Sequence, residues 1–155
     1  MISIKKEMVL EAQKNWGDGI VNIGKSFMEK GDYTTTAMKH IDSLYAYEQS
    51  PVLFKPTKAT EEQFRATKES ALSYFVATNG VCPEDKGFAI QPWTKVRFEN
   101  SAILLQGSSA AAMGNYYFTD AQGQEVKVEY TFGYLLDEEG KVRINIHHSS
   151  IPFQL

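Results

Sequence analysis

Several things are scarce in this chain, and each scarcity excludes a class of protein. Cys82 is the one cysteine among 155 residues. No internal disulfide can form, so the fold needs no oxidising compartment, and neither a paired-thiol redox motif nor a zinc knuckle is available. No run approaches 18 apolar residues, so no membrane-spanning helix is expected. The N-terminus lacks the apolar core and small-residue cleavage site of a secretory leader. Positive charge is not in excess: 16 Lys and Arg stand against 19 Asp and Glu, a net charge of −3. That balance removes the electrostatic case for nucleic acid or an anionic membrane as partner. Phosphate loops, dinucleotide fingerprints and the G-x-S-x-G nucleophile elbow are missing as well. A soluble, cytoplasmic protein is the expectation.

What is present is enough for a core. Hydrophobic residues make up 43% and charged residues 23%, and a chain of this length buries roughly 68–70% of its unfolded surface as a single domain, residues 1–155. Trp16, Ile20, Ile23 and Phe27 recur at helical spacing, a stripe that Gly31 brings to an end. A second helix after Tyr33 presents Ala37, Ile41, Leu44 and Tyr45. Val52-Leu53-Phe54 reads as a short strand ended by Pro56. Thr60-Glu61-Glu62-Gln63 fits a capping box and predicts a third helix that buries Phe64, Ala71, Leu72, Phe75 and Val76 and ends at Asn79-Gly80.

Beyond Gly87 the period changes to two. Strands are predicted at 94–100, 102–106 and 110–119. Val126, Val128, Tyr130, Phe132 and Tyr134 then alternate over nine positions, and turns fall at Ala121-Gln122-Gly123 and Asp137-Glu138-Glu139-Gly140. Val142, Ile144 and Ile146 lead into His147-His148-Ser149-Ser150. Helices followed by strands give an α+β fold: helices packed on a strongly curved antiparallel sheet, which forms a cone with an internal pocket.

Polar chemistry concentrates at the end of the last strand. Neighbours on a strand point to opposite faces, so His147 travels with Ser149 and Arg143, whereas His148 travels with Ser150 and the apolar Val142, Ile144 and Ile146. A polar pocket wall favours the odd set, and an apolar core wall favours the even set. Both doublets also read as a plain strand end. Convergence of all three histidines (His40, His147, His148) on a zinc ion would require a bulge. Thr57 by itself is a loop threonine. Tyr74, at the edge of the third helix's apolar face, has the reading of a core tyrosine bonded to a carbonyl.

A set of longer words carries more. Leu53-Phe54-Lys55-Pro56-Thr57-Lys58-Ala59, Ala71-Leu72-Ser73-Tyr74-Phe75, Glu84-Asp85-Lys86-Gly87-Phe88-Ala89-Ile90, Met113-Gly114-Asn115-Tyr116, Val128-Glu129-Tyr130-Thr131-Phe132-Gly133-Tyr134 and His147-His148-Ser149-Ser150-Ile151-Pro152 occur in that order. Together they resemble the iota class of carbonic anhydrases, over nearly the whole chain. The resemblance implies a nuclear-transport-factor-like (SnoaL-like) cone, a homodimer that pairs its sheets, and reversible hydration of carbon dioxide to bicarbonate. It implies Thr57, Tyr74, His147 and Ser149 as catalytic groups, with Thr57, Tyr74, Ser149, His148 and Ser150 as candidates to hold the substrate. Some relatives use manganese, and zinc is the metal of other carbonic anhydrases; the poverty of ligands here fits the metal-free kind, with no cofactor. His147, directly or through Tyr74 or a water, is then the group expected to take the proton. Two other functions suit such a cone. One is a non-catalytic association domain. The other is an isomerase or dehydratase, which would place a carboxylate or a His–Asp pair in the cavity.

Overall fold

Trp16, Ile20 and Ile23 are buried along one side of α1 (Lys6–Met28), as their spacing requires. The computed structural model describes residues 2–155. Asp32 caps α2 (Tyr33–Leu44), its carboxylate accepting from the Thr35 amide at 3.1 Å, and Ala37 and Ile41 turn inward. A short strand, β1 (Leu53–Lys55), precedes α3 (Lys68–Val76), and a 3-10 turn (Phe88–Ile90) follows it. Four long strands complete the chain: β2 (Lys95–Gln106), β3 (Ser109–Thr119), β4 (Glu125–Leu136) and β5 (Val142–Ser150).

The sheet runs β1-β5-β4-β3-β2, antiparallel except for β1, which joins β5 in parallel at the edge. The two strands expected between residues 94 and 106 are one strand, interrupted by a register shift between Asn100 and Ala102. The alternation in β4 holds from Val128 on: Val128, Tyr130, Phe132 and Tyr134 are all buried, whereas Val126 at the start of the strand is exposed. Both predicted turns carry their glycine at positive φ, Gly123 at 85° and Gly140 at 78°, a conformation that costs glycine little. The concave face is aromatic. Trp16, Tyr45, Phe54, Phe75, Tyr116, Phe118 and Phe132 fill the space between the helices and the sheet.

The third helix departs from expectation. It begins at Lys68, not after Thr60, and its reciprocal cap is Thr67 with Ser70. The amides of Thr60, Glu61 and Glu62 are instead captured by one carboxylate, that of Glu84, at 2.8, 2.9 and 2.8 Å. Four residues with a capping-box pattern thus serve a tertiary contact, and Phe64 lies exposed. The helix also stops earlier, with Ala77 left-handed at φ 62°.

Candidate active site

Strand β5 decides which doublet member turns inward, and it does so through a bulge. Gly133 pairs with Ile146 and Tyr134 with Ile144, so Asn145 is an extra residue without a partner across the ladder. An extra residue flips the faces of everything beyond it. Ile144 is buried on the concave side, and after the bulge so are His147 and Ser149. Without Asn145 in the count, the even series would have continued inward through His148 and Ser150. His148 is exposed and Ser150 half-buried; they face the outer side, around a depression that also includes Met113, Asn115 and Glu129.

Strand β1 brings Thr57 to the same place. Its parallel register sets Phe54 against His147 and Lys55 against His148, so the chain leaves β1 beside Ser149. Thr57 Oγ1 lies 2.7 Å from Ser149 Oγ. Helix α3 supplies Tyr74, whose hydroxyl accepts from the Lys58 amide at 3.3 Å. Thr57, Tyr74, His147 and Ser149 therefore surround one cavity, with Trp16, Phe54, Phe75, Phe88 and Tyr116 completing its wall. About 10 Å³ is open there to the centre of a water molecule, room for about one water. Tyr74 and Phe88 also line an outer cavity of about 290 Å³, which Lys58, Glu84, Asp85, Lys86 and Gln91 border.

The imidazole of His147 is held between flat rings. Phe132 stacks on it at 4.0 Å and Phe54 at 4.8 Å, while Trp16 meets it edge-on at 5.4 Å. Water cannot solvate an imidazolium here, so burial pushes the His147 pKa well below its ordinary value. Both ring nitrogens are occupied: Nδ1 by the Tyr45 hydroxyl at 2.8 Å and Nε2 by the Tyr116 hydroxyl at 3.0 Å. Tyr116 also reaches Ser149 Oγ at 2.6 Å. Burial raises the phenol pKa of Tyr74 and of Tyr116. At neutral pH these groups are uncharged. His147 therefore meets the cavity's hydroxyls through Tyr116, not through Tyr74.

The remaining histidine takes no part. His40 lies behind Trp16 and Phe75, and burial lowers its pKa to about 3. Asp42 points away and pairs with Lys68 at 2.7 Å. No carboxylate lines the inner cavity among the described residues, so the acid-base arrangement of a cone isomerase or dehydratase is missing. Among the described residues, no three His, Cys, Asp or Glu side chains converge as metal ligands.

Sequence reasoning named Trp16, Tyr45 and Tyr116 without giving them a place at the site, and it passed over a buried ion pair that supports the site. The Arg65 guanidinium, fully buried, forks onto Asp85 at 2.7 and 2.8 Å. Asp85 also accepts from Ser73 at 2.6 Å, and the Arg65 amide donates to the Phe54 carbonyl at 2.8 Å. The segment that carries Thr57 is thereby tied to both β1 and α3. Tyr116 could have been found from the alternation of Ala112, Gly114, Tyr116 and Phe118 along β3. No local pattern marks Arg65 and Asp85, which are 20 positions apart in irregular chain.

Comparison with known proteins places the chain in a family. A family model described as metal-independent carbonic anhydrase matches residues 7–151. The metal-independent carbonic anhydrase of Nostoc sp. (strain PCC 7120 / SAG 25.82 / UTEX 2576) is 44% identical over 155 residues, covering 98% of this chain and 76% of that protein. The crystal structure of a cyanobacterial iota-carbonic anhydrase complexed with bicarbonate superposes with a TM-score of 0.95 at 44% identity, covering 99% of this chain and 95% of that one. A calcium/calmodulin-dependent kinase II association domain from Xanthomonas campestris has a TM-score of 0.66 at 23% identity, covering 98% and 91%; that likeness is one of fold. Proteins of the nuclear-transport-factor-like family share the cone. The aromatic cavity of hydroxyls thus sits in a chain that belongs to the family of metal-independent carbonic anhydrases, the iota class.

Proposed function

We propose that this chain hydrates carbon dioxide, reversibly, in the cavity between Thr57, Tyr74 and Ser149. The observation that carries the assignment is the convergence of three hydroxyl side chains, from the segment that follows β1, from α3 and from β5, within an aromatic wall. The rings of Phe54, Phe75 and Phe88 offer carbon dioxide an apolar surface, and the hydroxyls hold a water and the product oxygens. The solved relative with bicarbonate supports a product site in this fold. His147 and Tyr116 stand behind Ser149; His148 and Ser150, on the outer face, are left out of the site.

No group here carries charge easily, so the low-cost route keeps every group neutral. The water oxygen bonds to carbon as one C=O π pair moves onto oxygen. A hydroxyl takes the water's proton while passing its own to that oxygen. The product is carbonic acid, which ionises to bicarbonate and a proton once it reaches water in the outer cavity. Orientation of water against carbon dioxide supplies several kcal/mol of the rate enhancement, by analogy with roughly 7–11 kcal/mol for well-held intramolecular reactions. The test is a hydration assay on metal-analysed enzyme in excess chelator, alongside Thr57→Val, Tyr74→Phe and Ser149→Ala. The chelator is expected to leave the rate unchanged and each variant to lose at least about tenfold; full activity in all three removes the cavity from the reaction.

The outer face of the sheet fits a second copy of this chain. Leu104 and Met113 are exposed there, and such apolar surface on a sheet favours pairing. A homodimer by light scattering, reduced to a monomer by Met113→Glu, is the expected result. Among the described residues, no helix is long and apolar enough to cross a membrane. A fold with one buried thiol and no disulfide suits a reducing cytoplasm.

A further inference from the structure

We propose that Tyr45 and Tyr116 are positioning residues for the hydration reaction: with Trp16 they fix the direction of a hydrogen-bond chain that ends by presenting the Thr57 hydroxyl proton to the cavity. The inference rests on the reading of the cavity as the site of hydration and adds the order of its protons.

The chain is continuous. It runs from Trp16 Nε1 to the Tyr45 hydroxyl (2.9 Å), to His147 Nδ1 (2.8 Å), from Nε2 to the Tyr116 hydroxyl (3.0 Å), to Ser149 Oγ (2.6 Å) and to Thr57 Oγ1 (2.7 Å). Its direction follows from counting donors. An indole N–H only donates, so Trp16 donates to the Tyr45 oxygen. Tyr45 is buried, and among the described residues its hydroxyl proton has one acceptor in reach, Nδ1 of His147. A neutral imidazole that accepts at Nδ1 carries its proton at Nε2 and donates it to Tyr116. Tyr116 then donates to Ser149, Ser149 donates to Thr57, and the Thr57 proton is free for the cavity. Every donor ahead of Thr57 in this order has an acceptor. The reverse order gives Nδ1 the proton and leaves the Tyr45 hydroxyl proton without an acceptor in a dry interior, an arrangement that folded proteins avoid.

The direction bears on the chemistry. Donors stacked head to tail polarise one another. Ser149 donating into Thr57 Oγ1 makes the Thr57 O–H a stronger donor to an oxygen of carbon dioxide. Thr57 recovers its proton from the attacking water, so the hydroxyls end as they began and His147 stays neutral. The inner end of the chain is closed at Trp16, so it orients protons and does not carry them to solvent.

Two measurements decide the matter. The first is a long-range proton–nitrogen spectrum of histidine-labelled enzyme at neutral pH, with His147 assigned through its loss in His147→Gln. The neutral Nε2–H tautomer is expected; an Nδ1–H tautomer or an imidazolium overturns the proposal. This readout does not depend on activity, so an inactive enzyme would sink the carbon dioxide reading while the spectrum still settled the chain's direction. The second is kinetics of Tyr116→Phe and Tyr45→Phe, each of which keeps its ring and loses one hydroxyl. Both are expected to lower kcat by about 10- to 100-fold with KM for carbon dioxide within about twofold, and Tyr45→Phe to admit an Nδ1–H fraction. Wild-type kcat in either variant, folded by its thermal transition, overturns the proposal.

Discussion

Thr57 Oγ1 and Ser149 Oγ lie 2.7 Å apart although 92 positions separate them in sequence. The contact depends on three residues of parallel strand. Leu53–Lys55 pair with Ile146, His147 and His148, and the next residues bring Thr57 alongside Ser149. Parallel pairing of so short a strand is weak by itself. Phe54 strengthens it, stacked on His147 at an interplanar angle of 9°, so the ring that dries the imidazole also holds the strand that carries Thr57.

The two doublets should therefore behave oppositely when each member is replaced. Ser149→Ala removes a hydroxyl that bonds both Thr57 and Tyr116, and hydration should fall at least about tenfold. His147→Gln should fall by a similar amount. Ser150→Ala and His148→Gln change side chains on the other face, and their hydration rates should stay within about twofold of wild type. Equal losses across a doublet would mean that β5 does not bulge at Asn145.

Much of this was legible in the sequence, and the exceptions share a cause. The stripe of α1, the alternation of β4 and both glycine turns follow local periodicity, which packing did not override. The grouping of Thr57, Tyr74, His147 and Ser149 was legible only from extended words shared with a family, since no spacing joins residues so far apart. The face of each doublet was ambiguous because one extra residue reverses it, and Asn145 looks like any polar strand residue. The start of α3 was misplaced because Glu84, more than 20 positions on, competes for the amides of Thr60, Glu61 and Glu62. Propensity and capping patterns cannot register a partner that arrives from elsewhere in the chain.

The ion pair beneath the site should be costly to break. Arg65 is fully buried and the Asp85 side chain is 2% exposed. Arg65→Met leaves that carboxylate without its cation, which costs roughly 3–5 kcal/mol for a buried pair. The Lys14–Asp18 pair on α1 is 75% and 58% exposed, and Lys14→Gln should change stability by less than about 0.5 kcal/mol. Urea unfolding of the two variants checks the contrast. An Arg65→Met protein as stable as Lys14→Gln would show that the pair does not hold the Thr57 segment.

Stability should decline with acid well before carboxylates protonate. His40 and His147 both have folded pKa values below the ordinary 6.5. Below pH 6.5 the unfolded chain binds protons that the folded chain refuses, so stability rises with pH through this window and is complete above it. Two such groups give a slope of up to about 2.7 kcal/mol per pH unit below 6.5. Removing one of them, in His40→Phe, should halve the slope. A pH-independent unfolding free energy between 7 and 5 would show that these imidazoles are charged in the folded protein.

The rate itself should depend little on pH where stability is intact. A zinc enzyme titrates near neutrality because its bound water loses a proton at a pKa of about 7. Here the groups around the cavity lie outside that range: burial depresses His147, and it raises Tyr74 and Tyr116. None changes charge between pH 7 and 9, so kcat/KM for carbon dioxide should vary by less than about twofold across it. The same neutrality predicts a kcat that does not depend on buffer concentration, because no buried group stores a proton that an outside base must collect. Stopped-flow hydration at several pH values and buffer concentrations reads both. A sigmoidal rise centred near 7, or saturation with buffer, would require a group in the cavity that takes on charge during turnover, and the ring-stacked site of His147 leaves no inexpensive place for it.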